Sequence, residues 1–248
     1  MAIVELADLV ETETLKIYYF GDPMCLWCYG SHLHIKGALN SLSVEGHDYN
    51  LNHVIGVLAP QSKDGITTGP ELMPYHRNPG QFEYIQLQWK ENYQGRVPKE
   101  NQRPLNFEVW NRPDMRRSTY ESCEAVVLMG GQSINGKIDL YWEMFEAIQL
   151  EFYQHAQNTS NRRALLRIAR TLADDLGSQV NIDLGRFEAE LYDGTAQEQL
   201  VKNQKLNRAL AHLVHQQLIG REPGSPLSFP SLVVSKGSNF SLVAEGSR

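Results

Sequence analysis

The chain has 248 residues, of which 42% are hydrophobic and 21% are charged. This composition can bury a sizeable core and excludes a disordered or fibrous protein. The net charge of −6 comes without basic runs, which argues against nucleic acid and against an anionic membrane as partners. No apolar run in the sequence approaches the length of a membrane span.

The first fourteen residues are acidic. They contain no lysine or arginine, so they lack the basic start and the long apolar run of a secretory signal. The chain also has only three cysteines. We therefore expect a cytoplasmic protein, where structural disulfides are rare and a Cys-x-x-Cys pair is catalytic or binds metal.

The first third of the chain predicts a βαβ unit. Residues 4–10 are apolar at intervals and predict a small packing element. Residues 15–20 are rich in aromatic and β-branched residues and predict a buried strand, and residues 51–58 predict a second one. Residues 26–42 lie between them and have helical spacing. Two strands joined through a helix form a parallel pair.

Cys25 and Cys28 lie where the first strand gives way to the helix. The first turn of a helix has unpaired N–H groups and the positive end of the dipole, which favour a thiolate. Cys28 follows three residues later, on the same helix face. The pair can therefore exchange disulfides, with Cys25 attacking and Cys28 resolving the mixed intermediate.

Two other interpretations of the pair stay open at this point. Thiolates three residues apart also suit tetrahedral zinc, and His32 and His34 follow nearby. His34 points away from the face that carries Cys28, however, and no second Cys-x-x-Cys completes a site, so we expect no metal. Alternatively, both cysteines are buried and inert.

The neighbours of the pair affect its chemistry. A carboxylate at Asp22 that points inward would oppose ionisation of the thiols. We expect Trp27 to contribute to the core and His32 to face solvent. We expect Cys123 to be a buried thiol on a helix, and the alternative is a redox-sensing or resolving role.

The middle of the chain changes from irregular to helical. Residues 59–117 show convincing helical spacing only at 82–93, and their large aromatics, Trp89, Phe107 and Trp110, are predicted core anchors, with a substrate groove as the alternative. The helices predicted beyond them are 118–129 behind a Ser118-to-Glu121 capping box, 137–154, 162–176 ending at Gly177, a short one to Tyr192 capped by Asp183, and 195–218 behind a second capping box.

The last part of the chain predicts an antiparallel pair of strands, at residues 227–234 and 240–244. Pro230 lacks a backbone N–H and cannot donate to a sheet. It therefore belongs at a strand start, at a sheet edge or in a cis bond.

Taken in order, these motifs resemble the DsbA family of thioredoxin-like thiol-disulfide oxidoreductases, and above all its cytoplasmic FrnE-type branch. The likeness runs from Leu15 to Glu245, and the motifs that carry it are Asp22-Pro23-Met24-Cys25-x-Trp27-Cys28-Tyr29, Cys123-Glu124-Ala125-Val126 and Phe229-Pro230-Ser231-Leu232-Val233. The resemblance implies an α/β, thioredoxin-like fold with a large inserted α-helical domain. Residues 1–60 and 196–248 would form the thioredoxin-like domain, and residues 61–195 the insertion.

The resemblance also implies roles for single residues. Cys25 would be the attacking thiolate, Cys28 the resolving thiol and Pro230 a cis proline facing the pair. The backbone of Phe229 would hydrogen-bond an extended substrate chain as an added strand, and Trp27 would contact substrate beside it. Substrates would be protein or small-molecule thiols and disulfides. The only redox group required is the dithiol, with glutathione as an alternative co-substrate.

The sequence departs from this family in two places. Leu26 and Trp27 stand between the cysteines, where relatives often have proline or histidine, so the direction of catalysis stays open. The sequence also ends soon after the last predicted strand, where thioredoxin-like folds continue into a helix. We expect residues 4–10, or a second subunit in a homodimer, to cover that face of the sheet.

Two other classes of function compete with disulfide exchange. The related 2-hydroxychromene-2-carboxylate isomerases and kappa-class glutathione transferases resemble this architecture, but a serine usually stands at the position of Cys25 there. The retained cysteine pair argues against that class. The third class is a non-catalytic binding module that keeps the thioredoxin-like groove.

Overall fold

The computed structural model describes residues 14–57, 79–95, 97–99, 102–111, 118–132, 138–214 and 227–245. The chain divides into two compact units. The sheet unit consists of the described residues within 1–56 and 198–248, and the helical unit of those within 57–197. None of the helices in these described ranges is both long and apolar enough to cross a membrane. The predicted packing element at residues 4–10 lies outside the described residues.

The sheet unit contains a four-stranded mixed sheet in the order β2-β1-β3-β4. Its strands are β1 (Leu15–Gly21), β2 (Tyr49–Ile55), β3 (Ser231–Lys236) and β4 (Asn239–Glu245). β1 pairs with β2 in parallel and with β3 antiparallel, and β3 and β4 form a hairpin. The predicted parallel pair and the predicted hairpin are both confirmed.

The bounds of β1 and β4 differ from their prediction by no more than one residue at either end, whereas those of β2 and β3 differ by two or more. β2 begins and ends earlier than the predicted 51–58, because Tyr49 pairs with Leu15 and Ile55 with Gly21, the two ends of β1. β3 begins at Ser231, directly after Pro230, rather than at residue 227. A proline without an N–H marks the start of the ladder there.

β1 is one of the two inner strands of the sheet, and its residues 17–21 are buried. Successive side chains of a strand point to opposite faces, so the two faces have different neighbours. Tyr18 and Phe20 pack on the face that carries an apolar cluster. The other members of that cluster are Val54, Leu210, Ala211, Val214, Leu227 and Val233, and Leu206, Phe229, Phe240 and Leu242 pack against it. Tyr19 points to the opposite face.

Helix α1 (Leu26–Val44) follows β1 and carries the cysteine pair at its start. Cys25 is the N-cap residue, with extended backbone angles, and Cys28 lies in the first turn. The helix ends at Val44 with Glu45 as its C-cap, and Gly46 follows with a φ of +78°, a conformation that favours glycine. The backbone N–H of His47 then donates back to the carbonyl of Leu42 over 3.0 Å.

The helical unit contains most of the remaining helices. They are α2 (Pro79–Gln88), which continues as a π-helix (Trp89–Gln94), a 3-10 turn (Phe107–Asn111), α3 (Tyr120–Gly130), α4 (Leu140–Tyr153), α5 (Arg162–Leu176), which continues as a 3-10 turn (Gly177–Gln179), and α6 (Leu184–Asp193). α7 (Ala196–Leu213) follows, and its predicted end at Leu218 lies outside the described residues.

α3 is the core helix of the helical unit. Every residue from Glu121 to Gly130 is buried, and α4, α5 and α6 pack around the helix. The buried Ser122 hydroxyl donates to the carbonyl of Thr159 over 2.8 Å. Trp89 is also buried and stacks on Tyr93, which confirms it as a core anchor.

The helix boundaries in this unit test the capping predictions. Arg162–Leu176 is confirmed, and it ends before Gly177 with a φ of +51°. Asp183 is confirmed as the cap of α6, since its carboxylate accepts from the N–H of Arg186. The capping box at Ser118 is wrong. Thr119 is the N-cap of α3, and the Ser118 hydroxyl accepts from the N–H of Tyr120 instead, because the helix begins one residue too late for the box.

Candidate active site

The turn between β1 and α1 sets the position of the cysteine pair. The N–H of Cys25 donates to the carbonyl of Asp22 over 3.0 Å, which closes a β-turn with Pro23 at its second position. The Asp22 carboxylate accepts from the N–H of Met24 over 2.7 Å, and Asp22 is fully buried. The short polar side chain of Asp22 and the fixed φ of Pro23 therefore hold Cys25 at the start of the helix.

The two thiols are buried to different degrees. Cys28 has no exposed surface, whereas 4% of the surface of Cys25 is exposed. Both cysteines are free, and they are hydrogen-bonded to each other. The Cys25 thiol also donates to the carbonyl oxygen of Phe229, with 3.7 Å between the two atoms. Of the two cysteines, Cys25 is the one with some accessible surface.

The surroundings keep Cys28 protonated. Burial raises the pKa of the Cys28 thiol well above its ordinary value, and the hydrogen bond and the negative charge at Cys25 raise it further. The charge of Asp22 acts in the same direction, while the backbone N–H of Asp22 donates to the sulfur and opposes the shift. Cys28 is therefore protonated at neutral pH.

Tyr19 is a neighbour of the pair that the sequence analysis missed. It is fully buried, and burial raises the pKa of its hydroxyl well above the ordinary value, with the negative charges of Cys28 and Cys25 acting in the same direction. The only signal in the sequence that could have indicated Tyr19 is the two-residue period of a strand. Tyr19 and Gly21 are two residues apart and therefore lie on the same face of β1, just before the turn that carries the cysteines. A tyrosine in a buried strand is otherwise indistinguishable from a core aromatic residue.

Phe229 reaches the pair from the other end of the chain. The Phe229–Pro230 peptide bond is cis, and both residues are half-buried. The ring of Phe229 lies directly over Gly56, where a Cβ atom would come within 2.1 Å of Cζ. Glycine at position 56 therefore makes room for the ring of Phe229, the residue whose backbone carbonyl contacts Cys25.

Trp27 lies between the two cysteines and is half-buried, whereas Leu26 and Cys28 on either side are buried. It is therefore less enclosed than the predicted core residue, and part of its surface is open beside the thiols. The structure thus brings together four of the predicted site residues, Cys25, Cys28, Phe229 and Pro230, and places Trp27 in the same turn as the cysteines.

The prediction for His32 is wrong. His32 was expected to face solvent, but it is fully buried. The reason is helical geometry, because His32 lies four residues after the buried Cys28 and therefore on the same face of α1. Within the described ranges, no three His, Cys, Asp or Glu side chains are grouped as ligands for a metal ion. The expectation that the pair binds no metal stays a prediction.

Cys123 belongs to the helical unit rather than to the sheet unit that carries the pair. It is fully buried on α3, as predicted, and its N–H donates to the carbonyl of Thr119 over 3.0 Å.

No protein-family model matches this sequence, and no curated protein is similar to it at a significant level. Solved structures do match. A provisionally named protein disulfide isomerase from Nitrosomonas europaea is 22% identical, with a TM-score of 0.60, and the match covers 95% of this chain and 92% of that one. The cytosolic disulfide reductase DsbM from Pseudomonas aeruginosa is 13% identical, with a TM-score of 0.60 and coverages of 92% and 89%.

The chain has the DsbA-like thioredoxin fold. A second structure of DsbM, solved with glutathione, matches with a TM-score of 0.57, 17% identity and the same coverages of 92% and 89%. The predicted fold class, a thioredoxin-like fold with a large helical insertion, is therefore confirmed. At such low sequence identity the similarity to these structures establishes the fold alone. The chemistry depends on the chain's own residues.

Proposed function

We propose that the chain is a thiol-disulfide oxidoreductase whose redox centre is the pair Cys25 and Cys28. The observation that carries the proposal is the asymmetry of the pair. The two thiols are hydrogen-bonded, Cys25 alone has exposed surface, and Cys28 is fully buried with a raised pKa. A nucleophile that keeps a small accessible surface, beside a protonated and fully buried partner, is the arrangement that stepwise disulfide exchange needs.

The exchange proceeds in two steps. The Cys25 thiolate attacks one sulfur of a substrate disulfide, so that a mixed disulfide forms and the other substrate sulfur leaves as a thiolate. Cys28 then attacks the Cys25 sulfur, the bond from Cys25 to substrate breaks, and the Cys28 proton passes to the departing substrate sulfur. Two electrons leave the dithiol, which becomes the Cys25–Cys28 disulfide, and the substrate disulfide becomes two thiols. The reverse sequence oxidises a substrate dithiol.

Substrate binds, in this proposal, as an extended chain alongside residues 228–230. The Phe229 carbonyl lies 3.7 Å from the Cys25 sulfur, so a chain that pairs with this backbone would bring its own sulfur to Cys25. The half-buried side chains of Trp27, Phe229 and Pro230 offer apolar surface beside that path. Such contacts are largely independent of substrate sequence, which suits an enzyme that acts on several protein or small-molecule thiols.

We place the enzyme in the cytoplasm and assign glutathione as the thiol that recycles the pair. The structurally similar DsbM is a cytosolic disulfide reductase, and one of its solved structures is with glutathione, which supports both assignments. In this direction the Cys25–Cys28 disulfide is reduced by two molecules of glutathione, which become one molecule of glutathione disulfide.

Equilibration in glutathione buffers of stepped potential tests the proposal. Samples are quenched by alkylation, and mass spectrometry then determines the state of Cys25, Cys28 and Cys123. We expect one two-electron transition that joins Cys25 to Cys28, within roughly −120 to −270 mV. Its midpoint decides whether the enzyme reduces or oxidises its substrates. The Cys123→Ser variant is the matched control and should give the same midpoint.

Two results would contradict the proposal. If Cys25 and Cys28 never pair, dithiol exchange is wrong. If Cys25 instead keeps a stable glutathione adduct across the range, the glutathione-dependent isomerase or transferase class becomes the better explanation.

A further inference from the structure

Helix α7 carries two buried asparagines, Asn203 and Asn207, on the side that packs against the sheet. They are four residues apart and therefore lie on one face of the helix. Leu210 and Ala211 of the same helix belong to the apolar cluster that covers the sheet. An amide buried among apolar side chains is costly unless its hydrogen bonds are made, so the partners of these two asparagines are informative.

Asn207 holds both polar groups of the Leu227 backbone. Its side-chain oxygen accepts from the N–H of Leu227 over 2.7 Å, and its Nδ2 donates to the carbonyl of the same residue over 3.4 Å. The side chain of Leu227 is also anchored, because it is buried in the apolar cluster. Leu227 is thus fixed through its backbone and its side chain. It lies two residues before Phe229, whose carbonyl is 3.7 Å from the Cys25 sulfur.

Asn203 contacts the end of β2 instead. Its Nδ2 donates to the carbonyl of Ile55 over 3.2 Å, and its own oxygen accepts from Gln199, one turn earlier on α7, over 3.0 Å. Ile55 is followed directly by Gly56, over which the ring of Phe229 lies. The two asparagines therefore support Phe229 at two points, through the chain that leads into it and through the backbone beneath its ring.

We propose that Asn203 and Asn207 are positioning residues for substrates that bind as an extended chain, and that they set a preference for peptide disulfides over small ones. The inference rests on the disulfide exchange proposed above. A substrate chain that pairs with the backbone at Phe229 delivers its sulfur to Cys25 only if that backbone is held in place. A small disulfide without peptide groups cannot pair in this way, so its reaction depends on the thiol pair alone.

The direct test compares Asn207→Leu with Gln132→Met, since each replaces a buried amide by an apolar side chain of similar size. Gln132 is 4% exposed, against 6% for Asn207, and belongs to the helical unit. Its amide makes the same pair of bonds to one residue, because it accepts from the N–H of Asp183 over 2.8 Å and donates to the carbonyl of Asp183 over 3.3 Å. Gln132 is therefore the matched control.

The quantity measured is the second-order rate constant for oxidation of the reduced protein in a single turnover, without glutathione. It is determined with a peptide disulfide and with bis(2-hydroxyethyl) disulfide, which has no peptide group. For Asn207→Leu we expect the constant for the peptide to fall about tenfold and that for the small disulfide to change by less than about twofold. Gln132→Met should change both by less than about twofold. A purely structural role of Asn207 would leave the ratio of the two constants unchanged.

A second variant, Asn203→Leu, tests the support beneath the Phe229 ring. It removes the donor to a single carbonyl, and a buried carbonyl that lacks a partner is tolerated better than a buried N–H. We expect the ratio of the peptide constant to the small-disulfide constant to fall by about threefold. This variant keeps the test decisive if Asn207→Leu does not fold.

An unchanged ratio in Asn207→Leu and Asn203→Leu would overturn the positioning role while leaving disulfide exchange intact. A ratio that falls equally in Gln132→Met would do the same, because the effect would then follow from the loss of any such buried amide. If the wild-type protein reacts with neither disulfide and forms no Cys25–Cys28 bond, the proposed function fails and the positioning role fails with it. The wild-type sample thus separates the two failures.

Discussion

Cys28 and Cys123 are equally buried, and neither has exposed surface. Their surroundings differ. Cys28 lies in the first turn of α1 and is hydrogen-bonded to a second thiol and to the backbone N–H of Asp22. Cys123 lies within α3, in a run of buried residues that other helices surround. Burial by itself therefore does not decide whether a thiol takes part in chemistry.

The difference arises from where each cysteine lies in its helix. The start of a helix leaves N–H groups without helical partners and lets other segments approach, so strand β1 and residues 228–230 both reach the pair. The interior of a core helix has its backbone groups bonded within the helix and is covered by packed side chains. The first environment can stabilise a charge on sulfur, whereas the second supports an inert thiol.

The largest expected effect is covalent trapping. With Cys28→Ser, the mixed disulfide between Cys25 and substrate has no resolving thiol and should accumulate on incubation with a peptide disulfide. Turnover should fall by at least about a thousandfold. Mass spectrometry of the intact protein detects the adduct.

Cys123→Ser is the matched control, since it also replaces a fully buried thiol by a hydroxyl. It should form no lasting adduct and should keep its turnover within about twofold of wild type. An adduct that accumulates on Cys123 rather than on Cys25 would reverse the assignment of the two environments.

The contact between Phe229 and Gly56 should have the next largest effect. Gly56→Ala places a Cβ atom where the Phe229 ring lies, so the ring must move. The backbone carbonyl of Phe229 then moves with it, away from Cys25. We expect kcat/KM for a peptide disulfide to fall by about tenfold, since misplacing a contacting group is costly for a positioned reaction. Gly37→Ala is the control, because a Cβ there meets no neighbouring atom. Equal activities would show that the position of the carbonyl is unimportant.

Stability distinguishes Cys123 from the reactive pair. Cys123→Ser buries a hydroxyl in the core of the helical unit and should lower the free energy of unfolding by about 1–3 kcal/mol. Cys123→Ala, which removes the sulfur and adds no polar atom, should cost about as much or less. Urea unfolding measures both. If Cys123→Ser were as stable as the wild type, the site would tolerate a buried polar atom.

The smallest expected effect concerns Glu124, the residue next to Cys123. Burial raises the pKa of this carboxyl to about 7, although Arg162, with 3.5 Å between Nη2 and Oε2, opposes the shift. The folded state therefore holds a proton that the unfolded chain releases. The stabilising contribution of this proton is fully present below the ordinary pKa of about 4.5 and is lost as the pH rises through about 7.

Glu124→Gln removes this pH dependence because an amide does not ionise. The Tm of the variant minus that of wild type should increase by about 2–4 °C from pH 5 to pH 8. The redox potential of the cysteine pair should not change. Glu146, which forms an ion pair with Arg103, provides a second carboxyl for comparison through the variant Glu146→Gln. A Tm difference that is constant with pH would contradict the raised pKa of Glu124.

Much of the fold could be predicted from local patterns. The β-branched and aromatic run at 15–20 and the apolar period at 162–176 each determine their own element, because both patterns repeat within a few residues. The cap at Asp183 was likewise predictable, since a side chain there reaches a backbone N–H three residues away. Such interactions depend on sequence neighbours and need no knowledge of the rest of the chain.

The errors occurred where distant packing decides the outcome. The burial of His32 depends on which face of α1 meets the rest of the sheet unit, and the start of α3 depends on how a wholly buried helix is enclosed. The register of β2 was set by the two ends of β1 rather than by its own apolar residues. None of these partners is close in sequence.

The sequence by itself determined that two cysteines stand three residues apart at the start of a helix, behind a strand and before a late Phe-Pro pair. These features are local, so they can be recognised from the order of the residues alone. Only the tertiary structure decided that the Phe229 carbonyl lies 3.7 Å from Cys25 and that Gly56 makes room for the Phe229 ring. The physical reason is that strand pairing brings together residues about two hundred positions apart, and their side chains meet only when the sheet has formed.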